Sequence, residues 1–132
     1  MVWHFGWQDE PEVLRVFSDT NWAGCPKTGR STSGGAALLG QHPIWVCSRT
    51  QSALALSSTD SELYATTKAA TEGIGVLALM RDLGLDANMV MEVDASAALG
   101  VIERRGIGRI THLHTGALWI QEQRIRNMMK FK

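Results

Sequence analysis

The sequence predicts an α/β protein built on one mixed sheet, in which an antiparallel three-strand meander comes first, parallel strands follow, and helices pack on the sheet. Two observations predict it. Three apolar runs between residues 13 and 47 are parted by turns rich in Gly, Ser and Pro, as in a meander. From Thr59 onward the apolar period lengthens to three and four, and helical stretches then alternate with short apolar strands, which favours parallel pairing through right-handed crossovers.

At 132 residues and 45% apolar content the chain is long enough for one domain with a core of its own. Residues 1–12, with Trp3, Phe5 and Trp7 alternating ahead of an acidic turn, read as a first strand or as a lead-in segment, and residues 13–132 as the domain. The stretch from Ser31 to Ser48 is uncharged but broken by glycine, proline and polar residues, so no membrane span is expected, and a cytoplasmic or nuclear setting follows. Cys25 and Cys47 have no metal spacing and are expected to be free thiols. Net charge is zero yet uneven: residues 101–132 carry seven Lys/Arg against Glu103 and Glu122, a local +5, and the first hundred are therefore at −5. A basic end with an acidic remainder suits a protein that meets a phosphate backbone in one place and cations in another, although charge runs are commonly solvated surface.

The first strand, Val13-Leu14-Arg15-Val16-Phe17, carries Asp19 toward its far end, where the residue either opens a turn with Thr20 and Asn21 or faces a site. Ala23 to Gly35 is turn-rich. Apolar residues resume at Ala36–Leu39, break at Gly40–Pro43 and resume as a third strand at Ile44–Cys47. Leu63, Thr66, Ala70, Ile74, Leu77 and Met80 then form one helical stripe, apolar except at Thr66, and Gly84 stands where a C-terminal cap belongs. Gly73 and Gly75 each cost such a helix about 1 kcal/mol, which points to close packing on the sheet. Met89–Val93 is a short strand ended by Asp94, Ala95–Glu103 a second helix, Arg104–Arg109 a basic glycine-bearing loop, Ile110–Gln123 a third helix, and Ile125–Phe131 a last strand.

Asp19, Glu62 and Asp94 thus fall on strand, helix and strand, and in this topology all three can reach one sheet edge. For Glu62 the competing reading is a capping box over Thr59-Asp60-Ser61-Glu62. Three carboxylates are suitable ligands for Mg²⁺, and two such ions about 4 Å apart activate water and stabilise a leaving oxygen in phosphodiester cleavage. Rival chemistries find little support. His112 and His114 are two apart, which on a helix turns them away from each other; His4 and His42 lie in or near turns; and neither a nucleophile elbow nor a P-loop occurs.

The segments F-S-D-T-N-W-A-G-C at 17–25, G-R-S-T-S-G-G at 29–35, L-S-S-T-D-S-E-L-Y-A at 56–65, V-D-A-S-A-A at 93–98 and R-I-T-H-L-H-T at 109–115 resemble, in order and spacing, the ribonuclease H domain of copia-type LTR retrotransposon polyproteins. The resemblance implies a ribonuclease H-like fold and metal-dependent cleavage of the RNA strand of RNA·DNA hybrids during reverse transcription. It also implies two Mg²⁺ ions, with Mn²⁺ as a substitute, a reverse transcriptase domain of the same polyprotein as neighbour, and a virus-like particle in the cytoplasm, or the nucleus, as setting. It carries the family's first three metal-binding carboxylates onto Asp19, Glu62 and Asp94. Candidate contacts to substrate are Ser58, Thr59 and Ser96 at the 2′-hydroxyls of the minor groove, and Arg104, Arg105 and Arg109 at phosphates. Each of the Ser and Thr residues also suits a plain helix cap.

The family pattern is not met everywhere. The expected final helix with a fourth carboxylate does not follow the last strand, which reads as a C-terminally incomplete domain whose residual activity would depend on Mn²⁺. His114 stands where the family commonly has Asp, and Asp60 and Ser61 replace the more usual Glu and Ala. Two alternatives accompany the nuclease reading. One is a catalytically weak or inactive relic that serves as a structural module of a reverse transcriptase polyprotein. The other is a strand-transfer domain of the same fold, against which the position of Glu62 on the first helix after the meander argues.

Overall fold

In the computed structural model, residues 2–94, 96–103 and 114–132 are described, with the backbone alone at Ser96, Ala97 and His114. The elements run β1 (Val13–Asn21), β2 (Thr32–Leu39), β3 (His42–Thr50), α1 (Ser58–Asp82), β4 (Asn88–Val93), α2 (Ser96–Glu103), α3 (His114–Ile125) and β5 (Lys130–Phe131). They form an α/β fold on an open five-stranded mixed sheet in the order β3-β2-β1-β4-β5. The first three strands pair antiparallel, whereas β4 pairs parallel to both β1 and β5. The expected meander followed by parallel strands is therefore present.

Alternation along the strands sets the two faces of the sheet. Leu14, Val16 and Ser18 on β1, Ala37 on β2, and Met89, Met91 and Val93 on β4 are buried. They join a core with Leu63, Ala69 and Ala70 of α1, Val101 and Ile102 of α2, and Ala117 and Ile120 of α3. The intervening residues Arg15, Phe17 and Asp19 belong to the opposite face, where Ile44 and Val46 of β3 are exposed.

The stripe on α1 behaves as the sequence predicts: Leu63, Thr66, Ala70 and Met80 are buried, and Ile74 and Leu77 pack against the core. Gly84 closes the helix with φ +78°, and the Gly84 and Leu85 amides donate to the Arg81 and Met80 carbonyls at 3.0 and 2.9 Å, a Schellman closure. The two internal glycines differ. A Cβ on Gly73 would lie 2.5 Å from Met89 Sδ and 2.9 Å from Val16 Cγ2, so close packing requires glycine there, whereas at Gly75 nothing lies within 4 Å. The expectation holds for the first and fails for the second, which faces solvent.

Several boundaries differ from expectation: β3 runs His42–Thr50 instead of Ile44–Cys47, and two others have clear local reasons. β2 begins at Thr32, and Gly34 and Gly35, which read as turn residues, lie inside it opposite Asp19 and Ser18. A Cβ at Gly35 would meet the Trp45 ring at 2.7 Å, so the indole of β3 requires a bare backbone there. The predicted last strand at Ile125–Phe131 shrinks to Lys130–Phe131. Asn127 adopts φ +55°, and the Arg126, Asn127 and Met128 amides close the end of α3 on the Glu122, Arg124 and Gln123 carbonyls. Finally, Val2–Glu12 form neither helix nor strand, which sets aside the first-strand reading of that segment and is compatible with a lead-in. That segment is fixed by Gln8, which donates to the Leu39 carbonyl at 3.0 Å and accepts from the Gln41 amide at 2.9 Å, and by an edge contact of Phe5 on His42. Cys25 and Cys47 are free thiols, and no helix among the described residues is long and apolar enough to cross a membrane.

Candidate carboxylate site

β1 and β4 run parallel with Ser18 opposite Val93, so Asp19 and Asp94 stand one residue beyond, side by side at the same end of adjacent strands. Both are exposed. They line a cleft of about 640 Å³ with Phe17, Glu92, the Gly34–Ala36 backbone and Lys132. Asp19 Oδ1 accepts from the Thr20 amide at 2.7 Å. Glu92 shares their cleft but is already engaged: Arg15 Nε donates to its Oε1 at 2.7 Å, with Arg15 Nη2 at the same distance. An acid two residues ahead of Asp94 on an apolar strand lies on the same face by alternation, and sequence reasoning passed over that signal.

Glu62 comes from the first turns of α1. The helix is capped two residues earlier than the sequence suggests. Ser57 is the N-cap, its hydroxyl accepting from the Asp60 amide at 3.1 Å, while Asp60 Oδ2 accepts from the Leu56 amide at 3.1 Å. The capping role considered for Glu62 is filled by Ser57 and Asp60, and this leaves the Glu62 carboxylate unclaimed by the cap. Burial raises its pKa above the ordinary glutamate value, and the negative charges of Asp19 and Asp94 raise it further. The three carboxylates are thus within electrostatic reach of one another. No Lys or Arg among the described residues forms an ion pair with any of them.

This concentration of negative charge has the chemistry of a hard-cation site: carboxylate oxygens, exposed at Asp19 and Asp94 and half-buried at Glu62, with no ion-paired Lys or Arg among the described residues. The donors fit a divalent ion, but they are not gathered into a finished cage. Among the described residues no three His, Cys, Asp or Glu side chains stand together closely enough to hold a metal.

Two buried contacts flank the acids. Ser18 and Thr66 share a hydroxyl hydrogen bond of 3.1 Å between β1 and α1, and this accounts for the polar gap in the α1 stripe. Gln51, just past β3 and 3% exposed, donates from Nε2 to Ser33 Oγ at 2.8 Å, to the Ser61 carbonyl at 3.0 Å and to Thr20 Oγ1 at 3.4 Å. Nothing in the sequence singles Gln51 out, since a polar residue after a strand reads as loop.

The hydroxyls of Ser58 and Thr59 lie in the first turn of α1 and have no hydrogen-bond partner among the described residues, because the cap belongs to Ser57. Ser96 opens α2, and its side chain lies outside the described residues, as do Arg104, Arg105 and Arg109.

No protein-family model matches the chain. It is similar to two retrovirus-related Pol polyproteins of Arabidopsis thaliana, from transposons RE1 and RE2. Each is 33% identical over 72 residues, which is 54% of this chain and 5% of the relative. An uncharacterized mitochondrial protein of the same plant is 37% identical over 59 residues, 45% of this chain and 25% of that protein. The chain therefore spans a small part of the length of the polyproteins it matches, and its similarity is to a region of retrotransposon Pol polyproteins.

Proposed function

We propose that this chain is a ribonuclease H-like domain of a copia-type retrotransposon polyprotein, a metal-dependent endonuclease acting on the RNA strand of RNA·DNA hybrids. One observation carries the reading: Asp19 and Asp94 share the end of a parallel strand pair, with Glu62 within their electrostatic reach and, among the described residues, no Lys or Arg ion-paired to any of the three.

Asp19, Glu62 and Asp94 would hold Mg²⁺, or Mn²⁺ in its place. Bound there, divalent ions supply an activated water and charge stabilisation for the departing 3′ oxygen. The chain's own part is to present Asp19 and Asp94 in an open cleft, with Glu62 within their electrostatic reach, and to align the scissile phosphate beside them. Ser58 and Thr59, with hydroxyls free of the helix cap, are suited to read 2′-hydroxyls of the RNA strand, as is Ser96 at the start of α2. Arg104, Arg105 and Arg109 supply positive charge for the phosphate backbone. The same reading makes the hybrid the partner, a reverse transcriptase domain of the same polyprotein the neighbour, and a virus-like particle or the nucleus the setting.

The test is to incubate the domain with labelled RNA·DNA hybrid, duplex RNA and duplex DNA in Mg²⁺ and in Mn²⁺, beside Asp19→Asn. Cleavage of the hybrid alone, lost in the variant, is the expected result. Cleavage by Asp19→Asn within a few-fold of the parent refutes the assignment. A second reading, a folded relic that serves as a structural module of the polyprotein, is favoured by the ungathered carboxylates; it predicts a stable fold with no cleavage in either metal.

A further inference from the structure

We infer that Gln51 is a positioning residue that sets the separation of Asp19 and Glu62. The inference rests on the reading of those two acids as cation ligands. The amide nitrogen of Gln51 has two hydrogens and three acceptors within reach, so the bonds to Ser33 Oγ at 2.8 Å and the Ser61 carbonyl at 3.0 Å use them, and the 3.4 Å approach to Thr20 Oγ1 is shared. The backbone amide of Gln51 donates to the Ser31 carbonyl at 2.8 Å, which fixes the side chain's origin at the residue just ahead of β2. The acceptors come from three elements, and two of them adjoin the acids: Thr20 follows Asp19 on β1, and Ser61 precedes Glu62 on α1. Thr20 is held in turn, its hydroxyl donating to the Thr32 carbonyl at 3.1 Å. The Ser18–Thr66 bond ties the same strand to the same helix on the other side of Asp19.

A glutamine serving only to fill the core would have no need of acceptors beside both acids, and an apolar side chain of similar volume would fill the space. The amide does what packing cannot. It has a directional bond to the helix backbone at the residue before one ligand and a directional approach to the strand at the residue after the other. Carboxylates that repel one another need such a brace, because rigid backbone on both sides limits how far they can part. Polar groups that orient metal ligands from behind govern affinity without touching the ion.

The probe is Mn²⁺ alone, its binding to the 132-residue chain followed by electron paramagnetic resonance. Gln51→Met keeps the volume and removes the donor; Gln51→Glu keeps the shape and replaces the donor with an acceptor. Ile120→Val, in the core of α3, provides a variant destabilised away from the acids. Folding of each is checked by far-ultraviolet circular dichroism. Gln51→Met is expected to weaken Mn²⁺ binding by about ten- to a hundredfold, and Gln51→Glu likewise, while Ile120→Val melts earlier yet binds as the parent does. Binding by folded Gln51→Met within twofold of the parent overturns the inference, as does failure of both glutamine variants to fold, which would make the amide a fold determinant alone. If the parent binds Mn²⁺ no better than Asp19→Asn, the cation-site reading itself fails. That failure is recognised without any glutamine variant.

Discussion

Replacing Gly73 with alanine should unseat α1 from the sheet, and the same change at Gly75 should stabilise the protein. Helix propensity favours alanine by about 1 kcal/mol at both positions. At Gly73 the new methyl would lie 2.5 Å from Met89 Sδ and 2.9 Å from Val16 Cγ2, and overpacking a core costs about 1–3 kcal/mol. Neither neighbour has room to yield: Met89 is 2% and Val16 0% exposed, and the valine branch is stiff about χ1. The upper part of that range therefore applies, leaving a net loss of about 1–2 kcal/mol, against a gain of about 1 kcal/mol at Gly75. For a chain of this length each kcal/mol is worth about 4 °C in Tm. Thermal melts in chelator should then place Gly73→Ala about 4–8 °C below the parent and Gly75→Ala about 4 °C above it. Because α1 carries Glu62, Gly73→Ala should also weaken Mn²⁺ binding, and Gly75→Ala should not. A Gly73→Ala protein as stable as the parent would refute the seating of α1 over β1 and β4 described above.

Asp19→Asn should leave the far-ultraviolet dichroism unchanged and, in chelator, hold or raise Tm, since it removes a charge that Glu62 opposes; a clear drop in Tm would mark Asp19 as a structural residue. The raised Glu62 pKa has a definite sign in stability. The folded state binds this proton more tightly than the unfolded chain, so its contribution is complete below the ordinary glutamate value of 4.5 and is lost as pH rises through the raised value. Melts in chelator across that window should show the loss in the parent and not in Glu62→Gln; equal profiles would count against the coupling. Ser57→Ala should cost about 1 kcal/mol as a lost N-cap, whereas Thr59→Ala should cost much less, and the reverse order in urea denaturation would return the cap to Thr59. Arg105→Ala should flatten the salt dependence of hybrid binding by about one unit of log-log slope; unchanged binding at low salt would leave that arginine as solvated surface.

The order of strands and helices was readable because periodicity reports which face of an element is buried, and β1, α1 and β4 each bury one face. So was the proximity of Asp19 and Asp94, which follows from parallel pairing of the strands that end in them. What escaped was decided by partners distant in sequence. Gly34 and Gly35 carry every local mark of a turn, and only Trp45 lying over Gly35 explains their place inside β2. The cap fell to Ser57 because Asp60 bonds the Leu56 amide, a choice among five successive cap-competent residues, Ser57 to Ser61, that composition does not rank. Gln51 was invisible for the same reason: its three acceptors lie on β1, β2 and α1.

β1 lies at the centre of the sheet, and its two neighbours become available at very different times. β2 begins at Thr32, within a local hairpin, but β4 does not begin until Asn88, after the whole of α1. Closing a loop costs entropy that grows with its length, and pairings between remote segments slow folding. The meander and its helix are therefore expected to assemble first, with Asp19 and Glu62 already placed, and the parallel seam to close later. Asp94 arrives only with that seam. A chain still emerging from the ribosome, or one caught short of its final pairing, holds two of the three acids, so the completed carboxylate set is a marker of full maturation.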